Sequence, residues 1–425
     1  MKLLIKNGHV LNPATNLDRV MDILIEDGKV KTLKQSITNE ECDRVIDANG
    51  LYVMPGFIDL HVHLREPGFE YKETIESGAK AAATGGFTSI CPMPNTKPST
   101  DCREMVELVM DKANKESVVH ILPIGAITTN QEGSQLSDFK GMKEAGIVAL
   151  SEDGKSVMDA ALFMRGMQAA KKLNLPIFSH CEDKSLVGKG VMNAGKKAKE
   201  FGLEGICNAV EDVIVARDIL IAKEPGCTLH LCHCSTKDSV TLVKMAKEMG
   251  LSVTAEVCPH HFSMSEDDIT EDHGRFKMNP PLRKKEDVEA LKKGLRDGIM
   301  DVIATDHAPH GQEEKNQSMA KAPFGIVGLE TAFALTMTEL VKKGYLTPMQ
   351  MVEKLSYNPA KVLGIDKGNI DEGKVADIVI ADFDREYQID AKKFASKGKN
   401  TPFDGKMVTG QVVTTIVSGE VVYEN

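Results

Sequence analysis

One pattern constrains this chain more than any other. Eight times between residues 57 and 304 a short apolar run ends in polar residues, and helix-compatible sequence lies between most of the runs. The runs fall at 57–62, 87–91, 118–124, 146–150, 176–179, 228–232, 252–257 and 301–304. Segments such as 210–222 and 239–249 carry apolar residues at helical spacing between them. Strands alternating with helices predict a parallel sheet. Eight units within residues 54–366 predict an α/β fold, a (β/α)8 TIM-like barrel, whose usual size is ~250 residues plus insertions. A doubly wound open sheet is the structural alternative. Its dinucleotide-binding form has no support, because no GxGxxG follows the first strand.

The two ends read differently. Residues 1–53 alternate apolar runs with Asn7-Gly8, Asp27-Gly28 and Asn49-Gly50, which are hairpin signals. Residues 367–425 repeat that character, with strand-like runs at 376–380, 412–417 and 421–423. The expectation is that both termini combine into one small β-sandwich domain flanking the barrel. With 42% hydrophobic residues the chain can bury a core, which excludes disorder. A net charge of −10 argues against nucleic-acid binding. The apolar run Leu3-Leu4-Ile5 stops at Lys6, short of the ~7–15 residues of a signal core. No run approaches the ~18 residues of a membrane span. Nine cysteines without disulfide-scaffold density fit reduced thiols, so a cytoplasmic protein is expected. Cys181, Cys232 and Cys234 lack structural zinc spacing and are expected to be wall residues.

The chemistry gathers at the strand ends. In the first run Asp59, His61, His63 and Arg65 share one face of an ideal strand. The fourth run ends Ser151-Glu152-Asp153, the fifth Ser179-His180, the sixth Cys232-His233 and the eighth Thr305-Asp306-His307. Barrel enzymes keep their active sites at this rim. A buried His or Asp closing an apolar strand costs several kcal/mol without a partner. Shared cations satisfy all five endings at once. Imidazole and carboxylate donors suit zinc, with manganese or cobalt as alternatives. Six protein ligands suit two ions about 3.5–4 Å apart rather than one.

Taken together, Pro55-Gly56-Phe57-Ile58-Asp59-Leu60-His61-Val62-His63 and Ala304-Thr305-Asp306-His307-Ala308-Pro309-His310 resemble the amidohydrolase superfamily and its cyclic amidases. The stretches 63–68, 92–96, 258–261, 277–283 and 322–325 narrow the resemblance to the class I, bacterial-type dihydroorotase family, and the likeness runs over essentially the whole chain. The resemblance implies a binuclear zinc site with His61, His63 and Asp306 on one ion, His180 and His233 on the other, and Asp153 bridging. Glu152 is the alternative bridge, because this family usually reads Asp-Asp-Gly where this chain reads Glu152-Asp153-Gly154. It also implies hydroxide held between the ions as nucleophile, and Asp306 as general acid and base. Arg65, assisted by Asn95 and His310, would hold a substrate carboxylate. Asn279, with the backbone around Phe324 and Gly325, would hold the ring.

The implied reaction closes N-carbamoyl-L-aspartate into dihydroorotate. A homodimer and association with aspartate carbamoyltransferase are further implications. Another cyclic amidase (dihydropyrimidinase, hydantoinase or allantoinase) and a non-catalytic scaffold are the competing readings. His260, His261, His230 and His307 are read as structural. The polar stretch 312–321 is read as a mobile loop that helps close the site.

Overall fold

The computed structural model describes residues 2–38 and 40–425. The eight barrel strands are Phe57–Val62, Phe87–Pro92, His120–Ile121 continued by Ile124–Ala126, Ala149–Ser151, Ile177–Ser179, Leu229–Leu231, Val253–Val257 and Val302–Ile303. All neighbours pair in parallel. The ring closes where Val62 bridges His307 and the His63 N–H donates to the His307 carbonyl at 2.8 Å. The expected third strand is interrupted at Leu122-Pro123, since Pro123 has no N–H for the ladder. Inside, Ile58, Leu60, Cys91, Ile124, Ala149, Phe178, Cys232 and Val302 form one apolar cluster drawn from seven of the eight strands and their ends. Outside, helices such as Ala209–Lys223 and Lys237–Glu248 pack Ile214, Val215 and Val243 onto the strands.

Strands from both termini make one eight-stranded bulged sheet, a small β-sandwich domain. Tyr52–Pro55 pairs antiparallel with Ile378–Gln388, and so joins the two halves of the sequence. Its core takes Leu3, Ile5, Ile23 and Val53 from one end and Ile378, Ile380 and Ile416 from the other. Only one of the three expected N-terminal turns is a hairpin. Asp27-Gly28, both at positive φ, links Leu17–Glu26 to Lys29–Lys34. Asn7-Gly8 instead lies within Lys2–Asn12 as a register shift, with the Asn7 N–H donating to Asp22 Oδ1 at 2.8 Å. Asn49-Gly50 joins two strands that both run parallel to Lys2–Asn12.

Among the described residues no helix is long and apolar enough to cross a membrane. All nine cysteines are free, and Cys181, Cys232 and Cys234 are buried in the walls.

Candidate active site

The first barrel strand does not keep the ideal alternation. Its register shifts between Asp59 and Val62. Asp59 turns its carboxylate to the backbone N–H groups of His61 (3.0 Å) and Thr305 (3.1 Å) and takes no place among the histidines. His61 and His63 still converge. His61 Nε2 lies 3.2 Å from Asp153 Oδ1 and 3.6 Å from Asp306 Oδ1. His63 Nε2 lies 3.1 Å from Asp306 Oδ1 and 3.5 Å from Asp153 Oδ2. Across the mouth, His180 Nδ1 and His233 Nε2 are 2.8 Å apart, at 3.5 and 3.8 Å from Asp153 Oδ1. Asp153 therefore stands between the two histidine pairs. Glu152 is turned away, accepting from the Thr128 N–H at 3.0 Å and from its hydroxyl. Lys155 is exposed and donates to the Gln131 carbonyl.

These donors fit metal ions. His61 Nε2, Asp153 Oδ1, His180 Nε2 and His233 Nδ1 are buried without a hydrogen-bond partner, a costly state for a side chain that binds nothing. His61, His63 and Asp306 form one compact donor group, and His61, Asp153 and His233 another. Burial alone would raise the Asp153 carboxyl, but His61, His180 and His233 hold it well below the carboxylate range. Asp306, likewise opposed by burial, is held at about 2 by His63 and His61. Both are ionised acceptors. His233 and Asp306 at their strand ends, and Arg65 just beyond its own, adopt left-handed backbone conformations. Such strain costs about 1–3 kcal/mol each and gathers where function requires it.

The cavity above is about 170 Å³ and is lined by His63, Arg65, Asn95, Asp153, His180, His233, Asn279, Asp306, Phe324 and Gly325, with Gly154 and Ala308. The Arg65 guanidinium donates through Nε to the Pro309 carbonyl at 3.1 Å, and its Nη2 lies 3.2 Å from His310 Nε2. Asn95 is engaged at both ends, with Oδ1 against His63 Nδ1 (2.9 Å) and Nδ2 donating to Asp153 Oδ2 (3.2 Å). It therefore orients two of the converging donors, His63 and Asp153, besides facing the cavity. Asn279 donates to the Glu182 carboxylate.

Four features escape a reading of the sequence. Glu256, fully buried on the seventh strand, takes His61 Nδ1 at 2.8 Å, His230 Nε2 at 3.0 Å and the His233 N–H at 3.0 Å. A lone carboxylate between Ala255 and Val257 was its signal. Lys315 is buried and donates to the carbonyls of Lys277, Pro323 and Gly325, so the expected loop begins as a short helix, Gln312–Lys315, tied to the cavity wall. Asn400 donates to the Ala308 and Gly325 carbonyls and accepts from the His310 N–H. His307 meets Glu73 at 3.4 Å. His260 and His261 are buried, and His261 Nε2 donates to the Pro280 carbonyl at 2.9 Å.

A parallel barrel whose strand ends gather four histidines and two aspartates around a small polar cavity defines an amidohydrolase. The Dihydro-orotase-like family model matches residues 50–239, and the Amidohydrolase family model matches residues 224–423. The chain is 49% identical to a dihydroorotase of Bacillus cereus (strain AH820), covering 100% of this chain and 99% of that one. It is 48% identical, over the same shares, to a dihydroorotase of Bacillus thuringiensis (strain Al Hakam). Among solved structures, an L-hydantoinase (dihydropyrimidinase) from Arthrobacter aurescens superposes with a TM-score of 0.90 at 29% identity, covering 99% of this chain and 96% of that one. The chain belongs to the dihydroorotase family. It is an enzyme, a cyclic amide hydrolase.

Proposed function

We propose that the enzyme interconverts N-carbamoyl-L-aspartate and (S)-dihydroorotate plus water, a step of de novo pyrimidine synthesis, with two zinc ions as cofactor. The observation that carries this reading is the Arg65 guanidinium in the wall of a cavity floored by histidines and aspartates. A guanidinium there suits a ring bearing a carboxylate, which dihydrouracil and hydantoin lack. His61, His63 and Asp306 would hold one ion, His180 and His233 the other, and Asp153 both. When bound, two such ions supply Lewis-acid polarisation of a ring carbonyl and a water acidic enough to attack near neutral pH.

The side chains do the rest. Arg65 and His310, with Asn95 beside them, hold the exocyclic carboxylate and set the face of the ring. Asn279 and the backbone at Phe324 and Gly325 hold the amide edge. In hydrolysis the bond between the ring nitrogen and its carbonyl carbon breaks. Asp306, ionised in the resting site, takes the proton of the attacking water and gives it to the departing nitrogen, which leaves as the ureido NH₂. In cyclisation Asp306 moves a proton the opposite way, from the ureido nitrogen to the departing oxygen, and a second proton taken up from solvent by the reacting carboxylate completes the water that leaves. Residues 54–366 form the catalytic unit in this reading, between β-domain segments 1–53 and 367–425. We read the enzyme as a cytoplasmic homodimer open to association with aspartate carbamoyltransferase.

Metal analysis and turnover on one purified sample test the proposal. The expected result is about two metal equivalents per chain and turnover of dihydroorotate in preference to dihydrouracil and allantoin. Turnover of the uncharged rings alone would transfer the reading to the hydantoinase type. Absence of both metal and turnover would leave a scaffold.

A further inference from the structure

The seat for the substrate carboxylate depends on a residue outside it. His310 meets three partners. Its Nδ1 lies 3.2 Å from Lys72 Nζ. Its Nε2 lies 2.7 Å from the Phe324 carbonyl oxygen and 3.2 Å from Arg65 Nη2. An ammonium only donates, so the nitrogen facing Lys72 must present its lone pair. A carbonyl only accepts, so Nε2 must carry the hydrogen. Both demands select one tautomer. Burial, then the positive charges of Arg65, Lys72 and Lys315, hold the ring down at about 2, so it offers one hydrogen and one lone pair. Arg65 Nη2 consequently faces an N–H, two donors with no acceptor between them.

Lys72 itself is held in place. Its side chain is 12% exposed and pairs with Glu314 at 3.1 Å. Glu314 also accepts from the Tyr71 hydroxyl and the Gly311 N–H, both at 3.0 Å. Glu314 Oε2 lies 3.8 Å from His310 Nδ1, beyond hydrogen-bond reach, and does not compete for that nitrogen.

We propose that Lys72 is a positioning residue that locks His310 in its Nε2–H tautomer, so that His310 and Arg65 jointly offer donors to one substrate carboxylate. The proposal rests on the carboxylate-seat reading above. Without the Lys72 ammonium only the Phe324 carbonyl still asks for Nε2–H, whereas Glu314 beside Nδ1 and Arg65 Nη2 beside Nε2 both favour the other tautomer. In that tautomer Nδ1–H turns to Glu314, Nε2 accepts from Arg65 Nη2, and the bond to the Phe324 carbonyl is given up. The two seat residues satisfy one another, and the incoming carboxylate must break that bond. Ground state and transition state use the seat alike, so its loss appears in KM and leaves kcat largely intact.

Lys72→Met and Lys72→Arg, compared with the metal-loaded parent enzyme, test this. Lys72→Met should raise KM for dihydroorotate roughly tenfold or more with kcat kept within about threefold, because a bond to a charged group is lost. Lys72→Arg, which also only donates, should recover most of the loss. The ¹⁵N spectrum of histidine-labelled parent enzyme, assigned against His310→Gln, should show a bare Nδ1 and a protonated Nε2 at His310. That pattern should invert in Lys72→Met. A protonated Nδ1 in the parent, an unchanged KM in Lys72→Met, or failure of Lys72→Arg to restore it overturns the proposal. A parent enzyme inert toward dihydroorotate overturns the function reading instead, and the spectrum still decides the tautomer.

Discussion

Replacing Glu256 by glutamine preserves shape and removes a charge at a position with no solvent access. One carboxylate oxygen takes His61 Nδ1 and the His233 N–H, and the other takes His230 Nε2. A glutamine amide has a single acceptor oxygen, so one side of this arrangement must change. His230 can adapt. Its Nδ1 lies 2.8 Å from the Thr254 hydroxyl, which can accept, so the ring can shift its hydrogen there and take the amide NH₂ at Nε2. The amide oxygen then stays with His61 and His233. All three charge-assisted bonds become neutral ones, each weaker by up to about 1 kcal/mol, for a total near 1–3 kcal/mol. That matches the roughly 10–100-fold loss of metal affinity expected when a partner that orients a ligating imidazole is weakened. Chelator titration of the loaded enzyme should shift by that factor, and kcat should recover to within about threefold once metal is restored in excess. Glu256→Leu, which abandons all three donors, should lose metal on purification. An unchanged chelator midpoint in Glu256→Gln would refute the claim that this carboxylate orients His61.

Asp306→Asn, assayed with metal restored, should lower kcat by about 10²–10⁴, since an amide cannot carry the proton; a rate within tenfold of the parent would remove Asp306 from proton transfer. Arg65→Met should weaken dihydroorotate use by about 2–5 kcal/mol in kcat/KM, the usual cost of stranding a buried charge, and leave any residual dihydrouracil turnover unaffected. Asp377 ties the β domain to the barrel, with Oδ1 accepting from His120 Nε2 (3.1 Å) and the Ser418 N–H (2.9 Å), and Oδ2 meeting Lys367 Nζ at 2.5 Å. Burial opposes its ionisation, but His120 and Lys367 hold its carboxyl below 3.8, so its contribution is present above about pH 4 and lost as pH falls through the folded value. Asp377→Asn should therefore cost about 1–3 kcal/mol at pH 7 and converge with the parent in thermal melts in the acid range; a constant gap across pH would contradict the sign.

The strand ends were legible because an apolar run that stops at His or Asp leaves a buried polar group needing a partner. His61, His63, His180, His233, Asp153 and Asp306 share that logic: the four histidines meet around Asp153, and Asp306 meets His61 and His63. What stayed hidden had other causes. Adjacent carboxylates such as Glu152 and Asp153 look alike in a string, and only the direction of each side chain separates them. Asn7-Gly8 carries turn chemistry, but Lys2–Asn12 spends it on a bulge, because Leu17–Glu26 pairs along its whole length. Lys72 and Lys315 sit in polar runs that mark neither of them, yet Lys72 reaches His310 and Lys315 reaches the Gly325 carbonyl of the cavity wall. Asn400 comes from the far end of the chain and meets the rim only through tertiary packing, so no local pattern could announce it.

The net charge of −10 describes the surface and misleads about the site. Burial and the cations around it, Arg65, Lys72 and Lys315, press on the neutral His310 ring, while Lys315 is itself pushed down to about 7 by burial and by Lys277 and Arg65. The acidic groups nearby are already committed. Asp153 and Asp306 face histidines, and Glu314 faces Lys72 and Tyr71. An anion entering the cavity therefore relieves a repulsion that folding has already imposed, whereas an uncharged ring of the same shape leaves it in place. Low internal polarisability magnifies that difference. In the proposed reading, selectivity for a carboxylate-bearing ring draws on the repulsion between Arg65 and Lys315 as well as on the direct contacts of Arg65 with the substrate. Neutralising Lys72 or Lys315 one at a time should narrow the gap between charged and uncharged rings from both directions.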